Sequence, residues 1–256
     1  MKALNAFIRK ELMEQVRSGR LIILGILFIL FGIMNPAVAK LTPRLMEMLA
    51  DSMTQIGMTV SPVTVTALDA WAQFFKNIPM ALIAFVLLES GVFTREYQTG
   101  TLVLSLTKGL ERPTVVIAKA AVLLALWTAC YWLCAGITWG YSAYYWDNSA
   151  AQHLAFSTVC WWAFGVWVLA LTVLFSVMAR ANTGVLAGVG GVVLLCVLLG
   201  MLPAAGKYLP TRLMDGTALI YGTAETGAYT APLLVAAATA AACFAAGIPI
   251  FNRKQL

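Results

Sequence analysis

Charge is scarce in this sequence. Only 11% of its 256 residues are charged, whereas 61% are hydrophobic, and an ordinary soluble domain has roughly a quarter of its residues charged. A chain of this composition has too little polar surface to cover a fold that faces water on all sides. The composition therefore excludes a soluble globular domain and favours a polytopic membrane protein.

Histidine is also scarce. His153 is the only one, so the sequence has neither an HExxH metalloprotease motif nor the partners of a Ser-His triad. The five cysteines are odd in number and lie in apolar runs, which disfavours a disulfide framework. Cys130 and Cys134 share a helix face that a soft metal could use, but small apolar packing residues are the interpretation we favour. We therefore predict no bound metal or cofactor and disfavour an intramembrane enzyme.

A phosphate-binding loop is missing as well. The nearest match to GxxxxGK[ST], from Gly200 to Lys207, has one residue too many between its glycines and is followed by Tyr208. Such a loop needs its glycines and its lysine at fixed spacing to cradle phosphates. We therefore expect that the chain neither binds ATP through a P-loop nor is itself an enzyme.

Long apolar runs are what the sequence does contain. A helix needs about 20 largely apolar residues to cross a hydrocarbon core about 30 Å thick, and continuous runs indicate helices rather than the alternating strands of a membrane barrel. Six runs qualify: 21–39, 74–93, 118–139, 154–178, 185–203 and 229–250. We predict an all-α, single transmembrane domain over 1–256, with external loops at 40–73 and 204–228.

The positions of the cations predict the orientation, because Lys and Arg are retained on the cytoplasmic side. With the N-terminus inside, twelve cations lie in the cytoplasm and five outside, the latter being Lys40, Arg44, Lys76, Lys207 and Arg212. We expect both termini in the cytoplasm and the chain in a bacterial inner membrane. Topology and anionic membrane lipid then account for the net charge of +6, and nucleic acid is not an expected partner.

Residues 1–20 predict an interfacial amphipathic helix on the cytoplasmic leaflet. Leu12 belongs to its apolar face, and Arg9 and Lys10 lie opposite. Glu11 falls within the apolar face, which is costly unless a cation from a neighbouring segment pairs with it. The alternative is a side chain that reaches water at the interface.

The segment between the second and third predicted spans indicates a docking hairpin. Gly100 permits a backbone reversal, Leu102 and Leu106 are apolar anchors at helical spacing, and Pro113 fixes the start of the next helix. A short helix that two membrane helices present to the cytoplasm is suited to binding a partner. An ordinary connecting hairpin is the alternative.

Glu89 is the ionisable residue deepest inside a predicted span. An ionisable group at membrane depth is by default a hypothesis of function. The structural alternative is that Glu89 pairs with Arg95 or Lys119 and holds the helices together.

Two GxxxG spacings predict close helix packing, since small residues let helix backbones approach each other. They are formed by Gly136 with Gly140 and by Gly184 with Gly188. Each external loop is expected to be ordered, either as a cap over a translocation path or as a shield on the bundle.

Three features together resemble the permease subunits of ABC transporters of the type-2 (ABC-2) exporter family. They are the opening helix with Arg9-Lys10-Glu11-Leu12, the block from Arg95 to Leu102 in which Glu96 lies four residues before Gly100-Thr101, and the basic C-terminal tail. Thr107-Lys108-Gly109 departs from the family's Pro-containing turn. By resemblance, the residues that couple to the ATPase are Arg95, Glu96, Tyr97, Gly100, Thr101, Leu102, Leu106 and Arg112.

The resemblance implies a six-helix half-transporter that pairs with a second copy or a sister permease. Two cytoplasmic ATPase subunits, which hold the ATP and Mg²⁺, would dock beneath it. Their closure would push on the hairpin and the N-terminal helix and so bias a two-state bundle. The alternatives are a membrane sensor or immunity protein that does not transport, and a secondary transporter, for which inverted repeats or more polar midplane residues are expected.

Overall fold

The described part of the chain is almost entirely helical. A computed structural model of the protein describes residues 2–54, 64–102, 107 and 111–254. In these ranges no strand occurs, which confirms the all-α prediction. The helices are α1 (Lys2–Arg17), α2 (Arg20–Thr54), α3 (Ala67–Glu89), α4 (Thr94–Thr99), α5 (Arg112–Tyr145), α6 (Leu154–Met178), α7 (Asn182–Gly200), α8 (Pro203–Gly206), α9 (Gly216–Ile220) and α10 (Thr230–Arg253).

Six segments are long and apolar enough to cross a membrane, which confirms the predicted number. They are Arg20–Met48, Ala67–Thr99, Arg112–Tyr145, Leu154–Met178, Asn182–Gly200 and Thr226–Arg253. Each exceeds or approaches the length of about 20 residues that a hydrocarbon core requires.

Several helices extend beyond the apolar runs that predicted them. Helix α2 continues past residue 39 to Thr54 and includes Pro36 and Pro43, and α5 begins at Arg112 rather than at 118. Hydropathy marks where a helix leaves lipid, whereas backbone hydrogen bonding continues into water without penalty. Of the external loop predicted at 40–73, residues 40–54 belong to α2 and residues 67–73 to α3. Residues 55–63 lie outside the described ranges.

Three helices form the centre of the bundle and three lie around it. Buried residues make up 61%, 50% and 67% of the most apolar windows of α3, α5 and α6, but only 28%, 11% and 17% for α2, α7 and α10. Edge-to-face aromatic contacts hold the centre together, with the Trp127 ring 6.0 Å from Phe28 and 5.6 Å from Phe85. The outer helices keep large apolar surfaces for lipid or another subunit.

Two ends of the bundle differ in chemistry. At the charged end, α1, α4, the start of α5 and the C-terminus of α10 meet, and Lys254 donates hydrogen bonds to the end of α6. At the cap end, residues 203–229 lie over α6, where the Trp161 indole donates a 2.8 Å hydrogen bond to the Met214 carbonyl. Residues 203–229 are thus folded into short helices against the bundle, and their position outside the membrane stays a prediction.

The glycines show which helix contacts are close. A Cβ on Gly165 would lie 2.1 Å from the Trp127 ring, and one on Gly188 would lie 2.4 Å from Phe175. Gly136 and Gly140 have no atom of another element within 4 Å of such a Cβ. The prediction of close packing within the chain is thus wrong for this pair, because the face that carries them has no helix against it.

Candidate coupling site

Five charged side chains meet where α1, α4 and the start of α5 converge. The Lys10 ammonium lies 2.9 Å from Glu11, 3.1 Å from Glu14 and 2.6 Å from Glu96. The Lys119 ammonium lies 2.9 Å from Glu11 and 3.1 Å from Glu96, the latter as an ion pair without hydrogen-bond geometry. We call these five residues the ion-pair cluster. It joins the N-terminal helix, the hairpin and a membrane helix at one point.

Most of the ion-pair cluster is shielded from water. Lys119, Glu11 and Glu96 are 1%, 5% and 6% exposed. A buried charge is tolerated only when it is paired and hydrogen-bonded, and here each of the three contacts at least two opposite charges or a hydrogen-bonding partner. The predicted pairing of Glu11 with a cation from a neighbouring segment is present, and the cation is Lys119 of α5.

Lys10 remains charged throughout the physiological pH range. Burial lowers its pKa, but hydrogen bonds to Glu11 and Glu96 outweigh this effect, so the net pKa lies above the ordinary 10.5. Because the folded-state pKa is the higher one, the stabilisation is complete below the unfolded pKa and is lost only as the pH rises through the raised value.

Three carboxylates of the ion-pair cluster are close enough to suggest a metal site. One oxygen each from Glu11, Glu14 and Glu96 lies within 4.8 Å of the others. The Lys10 ammonium, however, is within 3.1 Å of an oxygen of all three. It occupies the position that a cation would take, so this geometry is that of an ion-pair network.

Glu89 makes a second connection to α1. The Gln15 amide donates a 2.7 Å hydrogen bond to the fully buried Glu89, and an Arg20 nitrogen lies 3.8 Å from the same carboxylate. Among the described residues, Arg20 rather than Arg95 or Lys119 is the cation within 4.0 Å of Glu89. Glu89 instead ties the end of α3 to α1 and to the first turn of α2, because α1 folds back over that end.

The hairpin begins with α4 and reverses at Gly100. This residue is left-handed, with φ of 68°, which glycine adopts without steric cost. Leu102 is 1% exposed, as expected of an apolar anchor. Leu106 lies outside the described residues. Gly100 therefore has a backbone conformation that permits a reversal, and the hairpin as a whole stays a prediction.

The hairpin residues divide by exposure into two groups. Glu96 faces the ion-pair cluster, and Tyr97 is half-buried with the Lys254 ammonium 4.0 Å from its ring. Arg95, Gln98 and the Thr99–Thr101 turn face outward. Arg95 and Gln98 are therefore exposed, whereas the Glu96 carboxylate is directed inward at Lys10 and Lys119.

Two cations close helix ends at the charged end. Arg112 donates hydrogen bonds to the carbonyls of Phe251, Asn252 and Lys254, at 3.1, 3.0 and 2.8 Å. Lys254 in turn donates to the Val177 and Ala179 carbonyls, at 2.6 and 3.0 Å. The last carbonyls of a helix have no intrahelical donor and carry partial negative charge, so a cation stabilises them. Arg112 thus binds α10 rather than facing outward.

Sequence reasoning missed Gln15, Lys254 and Asn182. The Thr94 hydroxyl donates to the Asn182 side chain at the start of α7, so the hairpin also contacts the fifth membrane helix. No local signal marks Gln15 or Asn182. Lys254 does carry one, because a basic residue directly after an apolar helix suggests a helix-end cation.

The N-terminal helix presents an unexpected face to the bundle. Phe7, Glu11 and Gln15, spaced four apart, are buried, whereas Leu12 is 42% exposed and Arg9 is exposed. The outward apolar side chains suit a lipid interface. Location of α1 on the cytoplasmic leaflet stays a prediction.

Six helices that are long and apolar enough to cross a membrane define a multi-pass membrane protein. The family model described as ABC-2 family transporter protein matches residues 6–256, nearly the whole chain, and the protein belongs to this family. No curated protein and no solved structure matches the chain significantly.

Proposed function

We propose that this protein is the permease subunit of an ATP-driven ABC exporter, whose ATP is hydrolysed by a separate subunit. Membership of the ABC-2 transporter family supports a transport role, and the sequence carries no GxxxxGK[ST] loop of its own. The observation that carries the proposal is the ion-pair cluster, because it connects an exposed hairpin to membrane helices through buried charges.

The contacts at the charged end suggest how a push on the hairpin spreads. Displacement of α4 moves Glu96, which pulls on Lys119 of α5 and Lys10 of α1. The Gln15–Glu89 hydrogen bond carries the motion of α1 to α3. Closure of the ATPases would thereby favour one of two arrangements of the bundle. The size of this shift equals the difference between the free energies with which the closed ATPases bind the two arrangements.

The proposed surroundings follow from the charge distribution. The charged end faces the cytoplasm of a bacterium, with both termini there, and the cap end faces outward. Two ATPase subunits carrying ATP and Mg²⁺ bind beneath the hairpins of a pair of permeases, made by a second copy or a sister subunit. The poorly buried helices α2, α7 and α10 supply surface for that pairing.

The proposal is tested at the outward residues of the hairpin. In an Arg95→Glu, Gln98→Glu double variant we expect at least a tenfold loss of ATPase co-purification and of ATPase stimulation, since a reversed charge at a docking surface costs roughly 1.4 kcal/mol or more. The melting temperature should not change, because both side chains are exposed.

Arg44→Glu is the matched control, since Arg44 is exposed at the cap end. It should leave ATPase binding and stimulation intact. Full retention of both by the hairpin variant would show that the ATPase does not dock there, and docking on an isolated chain without stimulation would favour a sensor over a transporter.

A further inference from the structure

Two cations at the cap end, Lys207 and Arg212, have no anionic partner among the described residues. No carboxylate oxygen of that part of the chain lies within 4.0 Å of either one. Their charged groups lie near the rings of Tyr208, at 4.9 Å, and of Tyr229, at 5.6 Å. These two are among the five cations that oppose the charge bias of the chain, so topology does not account for their positions.

Lys207 and Arg212 line one pocket under the cap. Its volume is about 650 Å³, and Thr211 and Asp215 also line it. The Asp215 carboxylate accepts a 3.3 Å hydrogen bond from the Ala218 backbone N–H, so part of its negative charge is already satisfied. The pocket keeps a net positive charge of one, from two cations and one carboxylate, that an anion can neutralise.

An apolar groove of about 450 Å³ runs between α3, α6 and α7. Its lining is almost entirely hydrocarbon and includes Ile83, Phe164, Val189 and Gly190. Ile83 is 60% exposed, so the groove opens sideways from the bundle. In a membrane this opening faces acyl chains, and the volume lies within the range of about 300–1,000 Å³ that small-molecule sites occupy.

The groove and the cationic pocket adjoin each other. Val197 and Met214 line both, so the apolar space continues to the cations at the cap end. A ligand that fills both must have a long hydrocarbon chain and an anionic head. Basic pockets beside membrane helices bind anionic lipid head groups for this reason.

We propose that this composite site binds an anionic phospholipid that enters sideways from the surrounding bilayer. One acyl chain lies in the groove beside Val189 and Gly190, and the phosphate lies between Lys207 and Arg212. The Thr211 hydroxyl, which donates a 3.4 Å hydrogen bond to the Cys196 carbonyl, stands at the junction. The site requires no ATPase and is independent of the coupling proposed above.

The test is native mass spectrometry of the purified full chain with equal amounts of phosphatidylglycerol and phosphatidylcholine of the same acyl chains. We expect phosphatidylglycerol to be retained about tenfold more, because its head group carries a net negative charge, whereas the quaternary ammonium of phosphatidylcholine offsets its phosphate charge. The Lys207→Gln, Arg212→Gln variant should retain the two lipids equally. Gly190→Leu, which fills the groove, should lower retention of both.

Lys76→Gln is the control, because Lys76 is exposed at the cap end and lines neither cavity. It should bind lipid as the unaltered chain does. An equal loss of phosphatidylglycerol binding in the control would show that the net charge of the cap end, rather than this site, causes the preference. Unchanged lipid retention in Gly190→Leu would show that the groove does not bind the acyl chain. Displacement of phosphatidylglycerol by millimolar inorganic phosphate would show that a free anion suffices. Each of these three results overturns the proposal, provided that the variants keep the melting temperature of the unaltered protein.

Discussion

Replacing Lys119 with methionine is expected to lower the free energy of unfolding by about 3–5 kcal/mol, the range measured when one partner of a buried ion pair is removed. Lys119 is 1% exposed and lies between Glu11 and Glu96 at 2.9 and 3.1 Å. Without it, two buried carboxylates share the ammonium of Lys10 alone. The loss is measured by chemical denaturation in detergent, and stimulation of the ATPase should fall together with stability.

Compensating variants separate charge from packing at Lys119. Lys119→Arg keeps the charge and should recover much of the stability. Adding Glu96→Gln to Lys119→Met removes one of the orphaned charges, so the double variant should be more stable than Lys119→Met alone. Arg9→Met removes an exposed cation of α1 and should change stability by less than about 0.5 kcal/mol. A Lys119→Met protein as stable as the unaltered one would mean that the ion-pair cluster does not hold α1 and α4 to α5.

Replacing Gly165 with alanine is expected to destabilise the bundle by about 1–3 kcal/mol, the usual cost of adding a methyl group to a filled core. The new Cβ would lie 2.1–2.6 Å from three atoms of the Trp127 indole. That ring is fully buried, packs edge-on against Phe28 and Phe85, and donates a 3.2 Å hydrogen bond to the Trp162 carbonyl. It cannot move aside without disturbing these contacts.

Gly136→Ala is the matched control for Gly165→Ala. Gly136 is also a mid-helix glycine, but a Cβ there meets nothing within 4 Å. Alanine has the higher helix propensity, so this variant should be neutral or more stable by up to about 1 kcal/mol. Thermal unfolding followed by tryptophan fluorescence compares the two. If the Gly136 variant lost as much stability as the Gly165 variant, a second copy of the chain packed on that face would be the explanation.

The membrane helices and their number followed from the sequence because the transfer of a helix into lipid depends on the composition of about 20 consecutive residues, not on its neighbours. The need of Glu11 for a cation was also readable, since the cost of burying an unpaired carboxylate is local. The ends of the helices were harder to predict from the sequence. Helix α2 continues to Thr54 through Pro36 and Pro43, where composition alone indicated a loop.

The partners of the charged residues could not be read from the sequence. Gln15 and Glu89 are 74 residues apart, and Arg112 and Lys254 are 142 apart, so no local pattern relates them. Each pair exists because helix packing brings the N-terminal helix and the C-terminus of α10 to the charged end of the bundle. The reassignment of Arg112 from docking surface to helix-end cation has the same origin.

The sequence by itself determined that this protein has six segments long and apolar enough to cross a membrane, and which residues share a face of each helix. Only the tertiary structure decided which of those faces are covered. Periodicity states that Phe7, Glu11 and Gln15 lie on one side of α1, but the buried side is set by the elements packed against it. The ion-pair cluster and the apolar groove are both products of that packing, because each is assembled from helices distant in the chain.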